Sequence, residues 1–158
     1  MQLFFGREQG VPELAFRPLV KESLVVVLSS HHRLAKRKTI NPEDLVGETF
    51  VGVSHTGPVL RAIIDDYLKR SGINITPDHE TEHVVMGVSL IASTDGVGLL
   101  PAYAKNFLTR SVTSRPLKGD TPTIELVLGY KKSNESHILK LLLSRLDELV
   151  ARVSKKVH

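Results

Sequence analysis

The segment His79-Glu80-Thr81-Glu82-His83 matches, letter for letter, the pattern with which zinc proteases hold a metal. That chemistry needs both imidazoles on one face of a helix and the Glu as base for a zinc-bound water. The surroundings argue against it. Pro77 and Asp78 stand just upstream, so the segment reads as extended or only entering a helix. A third ligand is required, and the nearest later candidates, Glu125 and His137, fall in segments that read as a strand and a helix start. Met86 occupies the place three residues after the second His where the elongated metal signature has Gly. The expectation is a strand end and helix entry with exposed polar groups, and neither metal nor cofactor.

Ser54-His55-Thr56-Gly57 is a different kind of candidate. It stands between a strand-like run, Thr49–Val53, and an amphipathic helix whose face is Leu60, Ile63, Ile64, Tyr67 and Leu68. A turn there exposes backbone N–H groups and the positive end of a helix dipole, which suits a carboxylate or phosphate. Ser54 or Thr56 can add a hydroxyl donor, although plain N-capping uses the same residues. Asp95-Gly96-Val97-Gly98 looks superficially like a phosphate loop. It follows a helix instead of preceding one, so a glycine C-cap and a tight turn are expected. There is no Cys, no Gly-x-Ser-x-Gly elbow and no Ser/His spacing that indicates a triad, so an enzyme is not expected.

The elements that must position these turns are legible along the chain. Leu3–Phe5, Ala15–Leu19 and Leu24–Leu28 read as strands, the last apolar on both faces. Asn41-Pro42-Glu43-Asp44 is a helix start and Gly47 its stop. Val84–Ala92 reads as a helix with Val84, Val85, Val88 and Ile91 inward. Val97–Leu100 is a strand, Ala102–Phe107 a short helix, and Val112–Leu117 and Ile124–Tyr130 are strands. Ser136–Val153 is a long helix with Ile138, Leu141, Leu142, Leu146, Leu149, Val150 and Val153 as its inward stripe. Strands alternating with helices predict an α/β fold with largely parallel sheets.

Composition narrows the class. The chain has 158 residues, 41% of them hydrophobic, and no apolar run approaches the ~20 residues that span a bilayer. No secretion signal is visible, and with no cysteine a reducing cytoplasm is the expected location. The net charge of +4 is dispersed over short groups such as Lys36-Arg37-Lys38 and Lys131-Lys132. With 5% aromatics and no Trp, a stacking platform for single strands is not expected.

Several stretches in order resemble one family, the LysR-type transcriptional regulators, over roughly Phe4 to Val153. Leu24–Leu34 (L-V-V-V-L-S-S-H-H-R-L) looks like the family's crossover strand and its His-Pro-Leu signature, with Arg33 in place of Pro. Ile40–Phe50 and Ser54–Gly72 look like the short helix and the loop-and-helix that follow. Ile91–Pro101 (I-A-S-T-D-G-V-G-L-L-P) is similar to the family's Val-Ala-x-Gly-x-Gly-Val-x-Leu-Leu-Pro, with Thr94 at the first Gly. Arg115-Pro116-Leu117 and the closing helix complete the set.

The resemblance implies an effector-binding domain with a fold like type II periplasmic binding proteins, made of two Rossmann-like lobes. Lobe I would comprise residues 1–26 and 127–158 and be incomplete; lobe II would be 27–126. Nothing ahead of Leu3 resembles the family's helix-turn-helix, so DNA is expected as a partner only through that N-terminal domain. The resemblance places Ser54, His55, Thr56 and Gly57, with His83 and Val84 at the next strand-to-helix junction, in an interlobe cleft. Phe5-Gly6-Arg7 and Val20-Lys21-Glu22 look like the benzoate- and muconate-responsive branch, which implies a carboxylate-binding role for Arg7 and Lys21. The expected ligand is a small anionic or aromatic effector, the expected assembly a homodimer or homotetramer, and no membrane partner is expected. A stand-alone solute-binding protein is the alternative, and the zinc hydrolase a distant third.

Overall fold

The computed structural model describes residues 2–5 and 12–154, with side chains from 12 to 152. The chain divides into two units, Met1–Lys21 with Glu125–His158, and Glu22–Ile124. Strand β1 (Gln2–Phe5) is followed by β2 (Leu14–Ser29), β3 (Val51–Val53), helix α1 (Pro58–Arg70), β4 (His79–Thr81), α2 (Val84–Thr94), β5 (Val97–Pro101), β6 (Val112–Pro116), β7 (Thr123–Lys131) and α3 (His137–Ser154). Short 3-10 turns occupy Arg33–Lys36, Pro42–Leu45 and Ala102–Phe107.

The larger unit is built on the second half of β2. Leu24, Val26, Val27 and Leu28 are completely buried, as a continuous apolar run flanked on both faces should be. β5 pairs antiparallel with one edge of β2, from Leu24↔Pro101 to Leu28↔Val97, and β6 pairs antiparallel with the other, from Val25↔Pro116 to Ser29↔Val112. In the larger unit, among the described residues, the parallel strand pair is β3 with β4; two isolated parallel bridges, Phe50↔Val97 and Ile40↔Leu117, tie neighbouring segments together. The expectation of largely parallel sheets is therefore corrected. Periodicity reports which faces are buried, and it carries no information on strand direction.

Two other expectations change. Ala15–Leu19 and Leu24–Leu28 belong to one 16-residue strand. The polar stretch between them, Lys21-Glu22-Ser23, alternates exposed, half-buried, exposed, and so continues the pleat. The end of α2 is the second case. Asp95, not Gly96, takes the left-handed conformation (φ 53°). Gly96 serves close approach, because a Cβ there would stand 2.8 Å from the Thr49 carbonyl oxygen.

Polar anchors fix the connections. His32 is buried, with Nε2 2.8 Å from the Glu48 carboxylate, and Nδ1 accepts the Leu34 N–H at 3.2 Å. Arg33 also reaches Glu48. The Arg115 guanidinium donates to the carbonyls of Ala35 (2.6 Å), Arg37 (2.8 Å) and Ser114 (2.7 Å), and to Thr113 Oγ1 (2.8 Å). At the start of the 3-10 turn, Glu22 accepts the Tyr103 N–H at 2.7 Å. Burial, and secondarily Glu22, push the Tyr103 hydroxyl above its usual pKa.

In the smaller unit β1 pairs antiparallel with β7, from Gln2↔Gly129 to Phe5↔Leu126, and Arg17 on β2 bonds Asp147 on α3 at 2.7 Å. Helix α3 is rotated from the expected stripe. Leu139 and Leu146 are buried, whereas Ile138 is 77% exposed and Leu141 and Leu149 are also exposed. The apolar residues of this helix cover more than one face, so the wheel leaves its rotation open.

Candidate functional site

Parallel pairing of β3 with β4 sets the site. Val53 and Thr81 are register partners at the carboxyl ends of these strands, and the chain turns into α1 after one and α2 after the other. The Ser54 N–H donates to the Thr81 carbonyl at 2.9 Å, so the two turns are joined at their roots. In the first turn the Gly57 N–H donates to the Ser54 carbonyl (3.1 Å), and the Ser54 and Thr56 hydroxyls lie 2.7 Å apart. A Cβ on Gly57 would stand 2.9 Å from Val53 Cγ1, so this residue must be small. Gly57 caps α1 without a side chain, Pro58 brings no N–H, and the first intrahelical bond runs from the Arg61 N–H to the Gly57 carbonyl. The N–H groups of Val59 and Leu60 thus precede the ladder and point along the helix axis out of its amino end.

The second turn repeats the arrangement. Thr81 is buried; its hydroxyl donates to the His83 carbonyl (3.1 Å) and accepts the His83 N–H (3.3 Å). His83 caps α2 in an extended conformation, and the first bond of α2 goes from the Gly87 N–H to the His83 carbonyl. Two helix amino ends therefore follow two adjacent parallel strands. Outside the carboxyl ends of parallel strands is where α/β folds take ligands, and helix amino ends favour anions. His55, Thr56 and His83 are exposed, and Ser54, Gly57 and Val84 half-buried.

The structure brings Ser54, His55, Thr56 and Gly57 into one neighbourhood with His83 and Val84. Lys21 is exposed on β2 and belongs to the other unit. Arg7 lies outside the described residues. Two participants escaped the sequence reading. Thr81 shapes the second turn from a buried position. Arg61 Nη1 donates to the Val53 carbonyl (3.2 Å) and to Glu80 Oε1 (2.7 Å), with Asp65 3.6 Å from its Nε. The Arg61–Asp65 spacing of one helical turn was visible in the sequence; the Glu80 partner was not.

The zinc-protease pattern takes the extended form its flanks suggested. His79 and Glu80 lie in β4, and His83 is the extended cap of α2, so the imidazoles do not share a helical face. Glu80 is already engaged by Arg61. Among the described residues no group of three or more His, Asp or Glu is placed to hold a metal ion, and no helix is long and apolar enough to cross a membrane.

The LysR substrate binding domain family matches residues 3–151. The Hca operon transcriptional activator HcaR of Escherichia coli is 31% identical over 147 residues, covering 90% of this chain and 49% of HcaR. The HTH-type transcriptional regulator MetR of Haemophilus influenzae is 33% identical over 129 residues, covering 78% of this chain and 40% of MetR. The chain spans about half the length or less of these curated relatives. Among solved structures, the effector binding domain of a BenM variant superposes with a TM-score of 0.78 at 20% identity, covering 96% of this chain and 72% of that one. The CcmR regulatory domain of Synechocystis PCC6803, in complex with 2-PG, gives 0.76 at 19% identity, covering 94% and 73%. At these identities the structural likeness speaks for the fold.

Proposed function

Because this chain belongs to the LysR substrate-binding domain family, we propose that it is an effector sensor whose paired turns, 54–57 and 82–84, receive a small carboxylate-bearing molecule. The observation that carries the reading is the juxtaposition of two helix amino ends and the Ser54–Thr56 hydroxyl pair beyond two parallel strands. Such a site binds an anion through fixed N–H and O–H dipoles. Binding then biases a regulator between two arrangements by the difference in affinity for each; about 1–3 kcal/mol of coupling suffices. In this reading the two lobes of the sensor are residues 1–26 with 127–158, and 27–126, Arg7 and Lys21 are further carboxylate ligands, and the location is cytoplasmic. DNA is contacted through a separate domain of the regulator. The relatives named above are transcriptional regulators, which favours a sensor over a stand-alone solute-binding protein.

A thermal-shift screen of small aromatic and aliphatic carboxylates tests this. A ligand at one hundred times its Kd adds about 2.7 kcal/mol to unfolding free energy. Thr56→Ala is expected to weaken a hit about tenfold, the usual cost of one hydrogen bond to a charged group. A hit indifferent to Thr56, or no hit, overturns the site.

We infer assembly as a homodimer or homotetramer. The face proposed to meet a second copy is on α2, where Val85 and Met86 are more than half exposed. Across a groove of about 470 Å³, floored by Val88 and Ala92, stands Phe107, also exposed. Apolar side chains grouped in this way are stabilised by burial against a partner. Met86→Lys is expected to shift sedimentation equilibrium toward monomer while leaving the circular dichroism spectrum unchanged; an unaltered mass distribution removes this face as the contact.

A further inference from the structure

Arg61 lies in the first turn of α1, yet its guanidinium is directed back to the strand ends. It reaches the Val53 carbonyl immediately before the 54–57 turn, and Glu80 immediately before Thr81. One side chain therefore spans both strands at the point where both turns begin. It is three-quarters buried, whereas Glu80 is 37% exposed. A guanidinium can hold a carbonyl and a carboxylate in a fixed fork; an ammonium holds them less well. Its charge is also spoken for: Glu80 and Asp65 flank it, and Glu82 stands exposed two residues further on.

We propose that Arg61 is the positioning residue of the paired turns, and that its ion pair with Glu80 withholds its charge from the effector, so that the turns themselves favour one anionic group over two. Backbone N–H groups and the Ser54 and Thr56 hydroxyls receive the first anionic group. At the turns a second charge meets Glu80, Glu82 and Asp65, and the Arg61 guanidinium beside them is already paired. The selectivity matters only if the paired turns are the effector site, as proposed above; the positioning role does not depend on it.

Amide hydrogen exchange without ligand tests the positioning role. The Ser54 N–H is held by the Thr81 carbonyl and the Gly57 N–H by the Ser54 carbonyl. Arg61→Ala is expected to speed exchange at both by about tenfold, while the β2–β5 ladder keeps its protection. Arg61→Lys, which retains the charge, should give an intermediate rate, and it keeps the test open if the alanine variant unfolds. Equal acceleration throughout the larger unit, or none at the two amides, overturns the role.

Glu80→Gln tests the withheld charge. Titration with benzoate, carrying one charge, and phthalate, carrying two, should show the affinity ratio moving about threefold toward phthalate in the variant. An unchanged ratio overturns the selectivity. If the wild-type chain binds neither probe, the selectivity falls together with the effector-site reading, while the exchange experiment still decides the positioning role.

Discussion

Gly98→Val should lower the unfolding free energy of the larger unit by about 3 kcal/mol, at the upper end of what overpacking a tight interior costs. A Cβ at residue 98 would stand 2.9 Å from the Val51 carbonyl oxygen and 3.0 Å from Ile91 Cδ1. Neither neighbour can yield readily. The Val51 carbonyl belongs to β3, which is paired with β4 on its other side, and Ile91 is a completely buried residue of α2. Val adds two methyl groups beyond the Cβ, so β5 must separate from β3 or α2 must lift. Either movement displaces Val53 and the turn after it, so any effector-induced thermal shift should disappear as well. Urea unfolding checks the first effect through a lowered midpoint at unchanged slope. A midpoint within error of the wild type would mean that β3 slides freely, and the account of a rigidly placed turn would fail.

Arg115→Met should cost a comparable amount, about 3 kcal/mol, for an electrostatic reason. The guanidinium gathers the carbonyls of Ala35, Arg37 and Ser114 and the Thr113 hydroxyl, all within 2.8 Å. Methionine keeps an apolar stem of similar length, so packing is largely preserved and the lost hydrogen bonds dominate. The carbonyls of the Arg33–Lys36 turn and its exit are left without this donor. Arg115→Lys should recover little, because a single ammonium cannot address acceptors on both sides of a planar fork. In a chain of 158 residues the change corresponds to a fall in Tm of about 6–12 °C. A decrease of only a few degrees would show that the turn is held by His32 and Glu48 without help.

Both positions lie in stretches that were recognisable from sequence, yet the reason each matters was not. Ile91–Pro101 reads as helix, turn and apolar strand, and the structure has those elements there. The stretch does not say which backbone lies against Gly98, because Val51 is far away in sequence. Arg115 reads as one basic residue among 21. Three of its partners are carbonyl oxygens, which every residue has, so no pattern of side-chain types can announce them. The paired turns were partly legible: a strand, a small polar turn with Gly57-Pro58 and an amphipathic helix identify a helix amino end at residues 54–57. The same logic found His83 and Val84. Thr81 and Arg61 stayed hidden because the first is a strand residue of ordinary type, and the second finds Glu80 across 19 residues of chain.

What sequence alone determined about this protein is local. Apolar period, capping chemistry and the placement of Gly and Pro specify where strands and helices run, because these depend on torsional preference and on burial of one face. What only the tertiary structure decided is direction and pairing. Antiparallel placement of β5 and β6 on β2, the parallel β3–β4 pair that sets two turns side by side, the rotation of α3 and the Arg61–Glu80 contact all arise from long-range packing. That packing is selected by the summed free energy of the whole core, and no single segment of the chain encodes it.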